Sequence, residues 1–168
     1  MTNAAEIVFG KDRHVRCFAH LLNLVASAEI HRKDSPVRGL FDRVSNIVAY
    51  FKRSVRASDA LKAAQLTKDS EGTPLRLIER FKTRWNSDFD MAERFLQLAD
   101  VIGSSLLRVG RDGPRMLSGQ ELDTLKEVTH LLKPLKDATT EMSAEKVTTA
   151  SKVIPLVSLM RQASFKFF

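Results

Sequence analysis

The sequence contains a single cysteine, Cys17, among 168 residues, so it cannot form an internal disulfide. This cysteine usage fits a reducing compartment rather than a secreted scaffold. No apolar run approaches the ~18 residues of a membrane-spanning helix, and the first residues lack the charged-then-apolar pattern of a secretory signal. We therefore expect an intracellular chain without a membrane partner.

Residues that bind metals or act as nucleophiles are sparse. His14-x-x-Cys17-x-x-His20 is the main grouping, with His31 the next candidate ligand, and no paired C-x-x-C is present. A closed zinc site needs about four such ligands, and a strand-to-helix turn would separate His14 from His20. Cys17 beside a histidine is also a chemically conceivable nucleophile. Ordinary packing or hydrogen bonding of Cys17 and His20 is the simpler interpretation, so we predict no metal and no cofactor.

The composition favours a globular, basic domain. Hydrophobic residues make up 43% of the chain and charged residues 28%, which is typical of a folded core. The 27 Lys and Arg outnumber the 20 Asp and Glu, giving a formal net charge of +7. This charge favours anionic partners, with nucleic acid ahead of acidic membrane, although charge supplies affinity rather than identity.

Apolar residues at helical spacing predict a mostly helical chain. We expect helices over residues 19–30, 36–54, 58–66 and 88–102, and further helices that begin near residues 118 and 148. Apolar stripes within residues 37–51, 89–99 and 122–135 should form one helical core. Pro134 should kink or split the helix that contains it.

Local signals refine these helices. The first should bury a stripe of Leu21, Leu24, Val25 and Ala28. Asp34-Ser35-Pro36 is a start signal, with a capping residue before a proline in the first turn. Ser118 followed by Glu121 predicts a capping box.

Two segments favour short strands, residues 14–18 and residues 75–81. Two lone strands do not form a stable sheet. We therefore expect the chain to be a piece of a larger protein in which these strands have partners.

Basic residues alternate along the second of these segments. Arg76, Arg80, Lys82 and Arg84 would share one strand face, and Trp85, the sole tryptophan, follows directly. A basic stripe beside an aromatic ring suits a phosphate track with base stacking, so these five residues are our predicted nucleic-acid-binding set. The alternatives are a solvated strand face and a Trp85 that fills the core between strand and helix.

Three phrases occur in order along the chain. The first is Cys17-x-x-His20-x-Leu22-Asn23-Leu24, the second is Thr83-Arg84-Trp85-Asn86-Ser87 before an acidic amphipathic helix, and the third is Leu131-Leu132-Lys133-Pro134. Together they resemble the hAT-superfamily transposases and the BED-type zinc-finger proteins derived from them. The resemblance covers roughly residues 2 to 160.

The resemblance implies a mainly α fold, in which a helical insertion-domain bundle accompanies a remnant of a ribonuclease-H-like core with one or two short strands. Residues 1–30 would be the core remnant. Residues 31–74 would form helices and a loop. Residues 75–168 would hold the strand, the Trp-containing segment and the helical insertion-like region.

The resemblance also bears on catalysis, because the family uses three carboxylates that bind two divalent metals. The second carboxylate stands in T-D-N-A before the C-x-x-H phrase, where this chain has Thr2-Asn3-Ala4-Ala5, with Glu6 displaced from the motif. The chain has no position for the other two. We predict no catalytic residues and no enzymatic activity.

The residual function that the resemblance implies is weak DNA association in the nucleus. The alternative is a helical protein–protein interaction module without nucleic-acid binding. Helical surfaces would also allow homo- or hetero-oligomers.

Overall fold

The computed structural model describes residues 17–81, 84–110, 113–143, 153–155 and 157–158. The helices are α1 (Phe18–Ile30), α2 (Pro36–Arg53), α3 (Val55–Lys68), α4 (Trp85–Gln97), α5 (Ala99–Val109) and α6 (Gly119–Met142). Residues 153–155 and 157–158 are also helical. The predicted mainly α fold is confirmed. Among the described helices, none has the length and apolar character needed to span a membrane.

Helix α2 is the centre of the bundle, where it packs against α3, α4 and α6. Its buried side chains repeat at helical spacing, as the sequence predicts: Leu40, Phe41, Val44, Ile47, Val48 and Phe51. Ser35 occupies the N-cap position and Pro36 the first turn, which confirms the predicted start. Proline suits this position because the first backbone N–H groups of a helix lack intrahelical partners.

Helix α4 packs against α1, α2 and α6. It buries Phe89, Met91, Ala92 and Phe95 among other residues. The Nζ atoms of two α6 lysines lie over the Phe89 ring, 5.6 and 5.9 Å from its centroid. One of them, Lys136, also lies 2.7 Å from Oδ1 of Asp90. These contacts fix the register between α4 and α6.

The sequence predicts one helix over residues 88–102, but the structure has two. Helix α4 begins at Trp85, and the chain turns at Leu98 before α5 begins. The N–H of Leu98 donates to the carbonyl of Phe95 at 3.2 Å, and the carbonyl of Leu98 accepts from Ile102 at 2.8 Å. The turn lets α5 pack against α3 while α4 packs against α6, and Leu98 itself is buried.

Helix α6 begins with the predicted capping box. The Ser118 hydroxyl accepts from the N–H of Glu121, and the Ser118 N–H donates to the Glu121 carboxylate. Of the predicted kink or split at Pro134, the split is wrong, because the helix continues through the proline to Met142. Leu132 and Leu135 pack against the core on both sides of the proline, which offsets the backbone hydrogen bond that it removes.

The predicted buried stripe of α1 is also wrong. The helix buries Leu22, Ala26 and Ile30, whereas Leu24 and Val25 are 49% and 64% exposed. Nine of the 13 residues of this helix are apolar, so their spacing does not select one face. Its contacts with α4 and α6 make that choice.

The predicted strand over residues 75–81 does not form, and the described residues contain no strand. These residues run without a turn or bend. Their backbone groups bond to side chains instead of to a neighbouring strand. The Gln65 amide accepts from the N–H of Leu75 at 2.8 Å and donates to its carbonyl at 3.1 Å. In the other predicted strand, residues 14–16 lie outside the described residues, and Phe18 already belongs to α1.

Candidate nucleic-acid interface

The connection from α3 to α4 is held in place by side chains of the helices that flank it. Besides the Gln65 contact with Leu75, Arg94 Nη1 in α4 donates to the carbonyl of Arg76 at 2.8 Å. The Ser87 hydroxyl accepts from the N–H of Phe81 at 2.7 Å. Residues 75–81, which include Arg76 and Arg80, are therefore held by side-chain contacts at both ends.

Two of the predicted cations are open to solvent. Arg76 is exposed on the connection, and Arg84 is exposed at the N-cap of α4. Neither guanidinium forms an ion pair within the part of the chain that the structure describes. Lys82 lies outside the described residues. Among the described members of the set, Arg76 and Arg84 are thus the two without an ion pair.

Arg80 has a different environment. Its side chain is 17% exposed, and Nη2 donates to Oδ1 of Asp42 at 2.6 Å. Its Nη1 lies 3.7 Å from Oδ1 of Asp88. The expected common face of Arg76 and Arg80 does not form, because the connection is not a flat strand and one guanidinium turns inward towards carboxylates.

Trp85 lies in the core with no exposed surface. Its ring meets the Phe89 ring edge-on, with centroids 6.4 Å apart and planes at 73°. The backbone N–H of Trp85 donates to Oδ1 of Asn23 at 3.4 Å, which joins the first and second sequence phrases in space. An indole in this position cannot stack on a base, so the alternative of a core anchor describes it.

Asp88 is a buried carboxylate that sequence reasoning missed. It has no exposed surface, and its Oδ2 lies 3.2 Å from Nε2 of His31. Burial raises the pKa of Asp88, and the nearby His31 and Arg80 oppose that rise. The signal in the sequence is its spacing, since Asp88 lies three residues after Trp85 and four before Ala92, on the apolar face of α4.

His31 and Arg80, which both contact Asp88, line a cavity of about 370 Å³ together with Arg38 and Asp42. Arg38 Nε lies 3.8 Å from Oδ2 of Asp42, and Arg38 Nη1 donates to the carbonyl of His31 at 3.4 Å. Both arginines therefore share Asp42, with Asp88 close behind. The arginines of this cavity are already paired with carboxylates, so they are poorly placed to bind a phosphate.

The histidine and cysteine of the first phrase lie on the surface. Cys17 and His20 are exposed, and His14 and Glu6 lie outside the described residues. Within the ranges that the structure describes, no three His, Cys, Asp or Glu side chains form a group that could hold a metal ion.

Comparison with known proteins gives a consistent set of relatives. The family model of the ZBED1 RNase-like helical domain matches residues 15–131. Zinc finger BED domain-containing protein 4 of Homo sapiens is 28% identical over 153 residues, which cover 91% of this chain and 13% of that protein. Zinc finger BED domain-containing protein 6 of Mus musculus is 26% identical over 145 residues, which cover 86% of this chain and 14% of that protein. No solved structure matches the chain.

Proposed function

Because the chain belongs to the family of the ZBED1 RNase-like helical domain, whose members are hAT-derived BED-type proteins, we propose that it associates weakly with DNA and does not cleave it. The supporting observation is that Arg76 and Arg84 are exposed and form no ion pair with any residue that the structure describes. The net charge of +7 provides the long-range attraction.

The binding is electrostatic and tolerant of sequence. Phosphate contacts by arginine supply non-specific affinity, typically Kd of roughly 10⁻⁴–10⁻⁶ M at physiological salt. Arg76, Arg84 and the intervening Lys82 are the contact residues that we propose. Arg80 positions the connection by holding Asp42, and Trp85 anchors the start of α4 beneath it. DNA as the partner also favours a nuclear location, which imaging of the tagged chain tests.

Fluorescence anisotropy with labelled duplex DNA at several salt concentrations tests this proposal. Replacing Arg76 and Arg84 together by alanine should weaken binding and flatten the salt slope by about 0.9 for each lost phosphate contact. The matched control replaces Arg56 and Arg108, exposed arginines of α3 and α5, and removes the same charge. If DNA binding weakened equally in both double variants, Arg76 and Arg84 would have no specific role as contacts.

We also propose that the chain lacks nuclease and strand-transfer activity, because none of its residues matches the metal-binding carboxylates of the hAT-superfamily transposases that it resembles. Incubation with DNA and Mg²⁺ or Mn²⁺ should leave the strands intact. Metal-dependent nicking that disappears in Glu6→Gln would overturn this part of the proposal, since Glu6 is the carboxylate nearest to the altered motif.

A helical protein–protein interaction module is the second candidate. The observation in its favour is the exposure of Leu24 and Val25 on α1, at 49% and 64%. Apolar contacts of this kind would support homo- or hetero-oligomers that persist at high salt. Sedimentation velocity at 0.1 and 1 M salt separates the candidates. A salt-resistant oligomer that Val25→Ser dissociates, with no DNA binding, would favour this second function.

A further inference from the structure

A groove runs between α3, the end of α2 and residues 73–77 of the α3–α4 connection. We call it the α3 groove. Its volume is about 480 Å³, which lies within the range of roughly 300–1,000 Å³ that is common for ligand sites. Its apolar floor is formed by Phe51, Leu61 and Leu77, which are 2%, 5% and 7% exposed.

The rim of the α3 groove is basic. Lys52, Lys62 and Arg76 line it, and no Asp or Glu is among the lining residues. Lys52 Nζ lies 3.1 Å from Glu79 and Lys62 Nζ 3.7 Å from Asp59, but all four side chains are well exposed, so these ion pairs hold the lysines weakly. An occupant with negative charges would find three cations at the rim.

The connection also presents unused backbone groups. Leu75 has both backbone groups bonded to the Gln65 amide, and the Arg76 carbonyl accepts from Arg94. In the described part of the chain, the backbone N–H and carbonyl of Leu77 have no hydrogen-bond partner. Leu77 is among the residues that line the groove, so these backbone groups lie beside an occupant of it.

A partly exposed apolar side chain also belongs to the groove. Leu75, which lines the groove, is 45% exposed. The combination of an apolar floor, a cationic rim and free backbone groups differs from what DNA requires. Single-stranded DNA gains affinity from stacking on accessible aromatic faces, and the lining ring, Phe51, is almost wholly covered.

We propose that the α3 groove binds a short acidic peptide segment of a partner protein. Aliphatic side chains of the segment would cover the floor between Leu61 and Leu77. Its carboxylates would lie against Lys62 and Arg76, and its backbone would pair with that of Leu77. Such a segment uses main-chain hydrogen bonds for affinity and the apolar pocket for specificity.

The test is anisotropy of a fluorescein-labelled peptide in which aspartate and glutamate alternate with leucine, titrated with the full chain. We expect saturable binding that Lys62→Glu and Leu75→Asp each weaken about tenfold or more, through charge repulsion at the rim and loss of the apolar edge. The control Lys126→Glu, a reversal of an exposed α6 lysine, should bind as tightly as wild type. Circular dichroism establishes that each variant is folded.

Two further measurements decide the outcome. Hydrogen exchange at the Leu77 amide should slow when the peptide binds, and peptides with lysine for the acids or serine for the leucines should not bind.

No saturable binding, or equal affinity in Lys62→Glu and wild type, overturns the proposal. Displacement of the peptide by duplex DNA, with Lys62→Glu weakening both ligands equally, would assign the groove to nucleic acid instead. Arg76 belongs to both proposals, whereas Lys62 and Leu75 do not belong to the proposed DNA contacts, so the variants at these two residues test the groove separately.

Discussion

Nε2 of His31, the residue that caps the end of α1, lies 3.2 Å from Oδ2 of Asp88, whose side chain in α4 is fully buried. Arg80 from the α3–α4 connection approaches the other oxygen at 3.7 Å. One carboxylate thus joins three segments at the point where α4 begins. Removing a carboxylate from water is costly, and burial accordingly raises the pKa of Asp88.

The raised pKa of Asp88 predicts a pH-dependent stability. Above the ordinary value of 3.8 and up to its pKa in the folded protein, the folded state binds a proton that the unfolded state has lost. Stabilisation that is complete below the ordinary value is therefore lost as the pH rises through the folded pKa. Asp88→Asn has no such titration, so its free energy of unfolding should rise relative to wild type across this window. Urea unfolding at a series of pH values measures the difference, and a pH-independent difference would contradict the prediction.

Alanine at Arg80 should cost much more stability than alanine at Arg84, although both are arginines of the connection. Arg80→Ala leaves buried Asp88 without its guanidinium and should destabilise the fold by about 3 kcal/mol, the lower end for a broken buried pair, because Arg80 is partly exposed. Arg84→Ala removes an exposed side chain and should change stability by no more than about 0.5 kcal/mol. Chemical denaturation compares them. Similar losses in the two variants would mean that the ion network does not support the fold.

Trp85 should report on the core rather than on DNA. Trp85→Ala should destabilise the fold by about 3–5 kcal/mol, because the indole is completely buried beside Phe89. Since the chain has one tryptophan, its fluorescence isolates this site. Emission should be characteristic of a buried indole, shift to longer wavelength on unfolding, and stay constant when single-stranded DNA is added. Quenching by DNA in the folded protein would restore the stacking interpretation.

The sequence predicts helices well where apolar and polar residues alternate clearly around the helix. The stripe of α2 from Leu40 to Phe51 is buried as expected, since its other faces carry charge. The same reasoning fails in α1, where nine of the 13 positions are apolar and only packing distinguishes buried Leu22 from exposed Val25. Residues 75–81 read as a strand because their side chains alternate, but a strand also needs a partner, and the described chain supplies none.

The candidate site was harder to predict than the fold. Arg76 and Arg84 are exposed as expected, but the inward turn of Arg80 depends on Asp42 and Asp88, which are distant in sequence. His31 reaches Asp88 across 57 positions, a contact that local spacing cannot reveal. The sequence does show that Asp88 lies on the apolar face of α4. A carboxylate that is buried there needs a hydrogen-bonding or charged partner.

Two glycines of α5 should respond in opposite directions to alanine. Gly110 caps the helix with φ of 99°, a backbone conformation that side chains rarely adopt, and its N–H donates to the carbonyl of Leu106 at 3.3 Å. Gly110→Ala should therefore destabilise the fold by about 1–3 kcal/mol. Gly103 lies within the helix, and an added Cβ there meets no heavy atom within 4 Å. Gly103→Ala should stabilise by about 0.5–1 kcal/mol, because it removes backbone freedom from the unfolded chain. Denaturant midpoints of the two variants measure both effects, and a change of the same sign in both would contradict the conformations given for these residues.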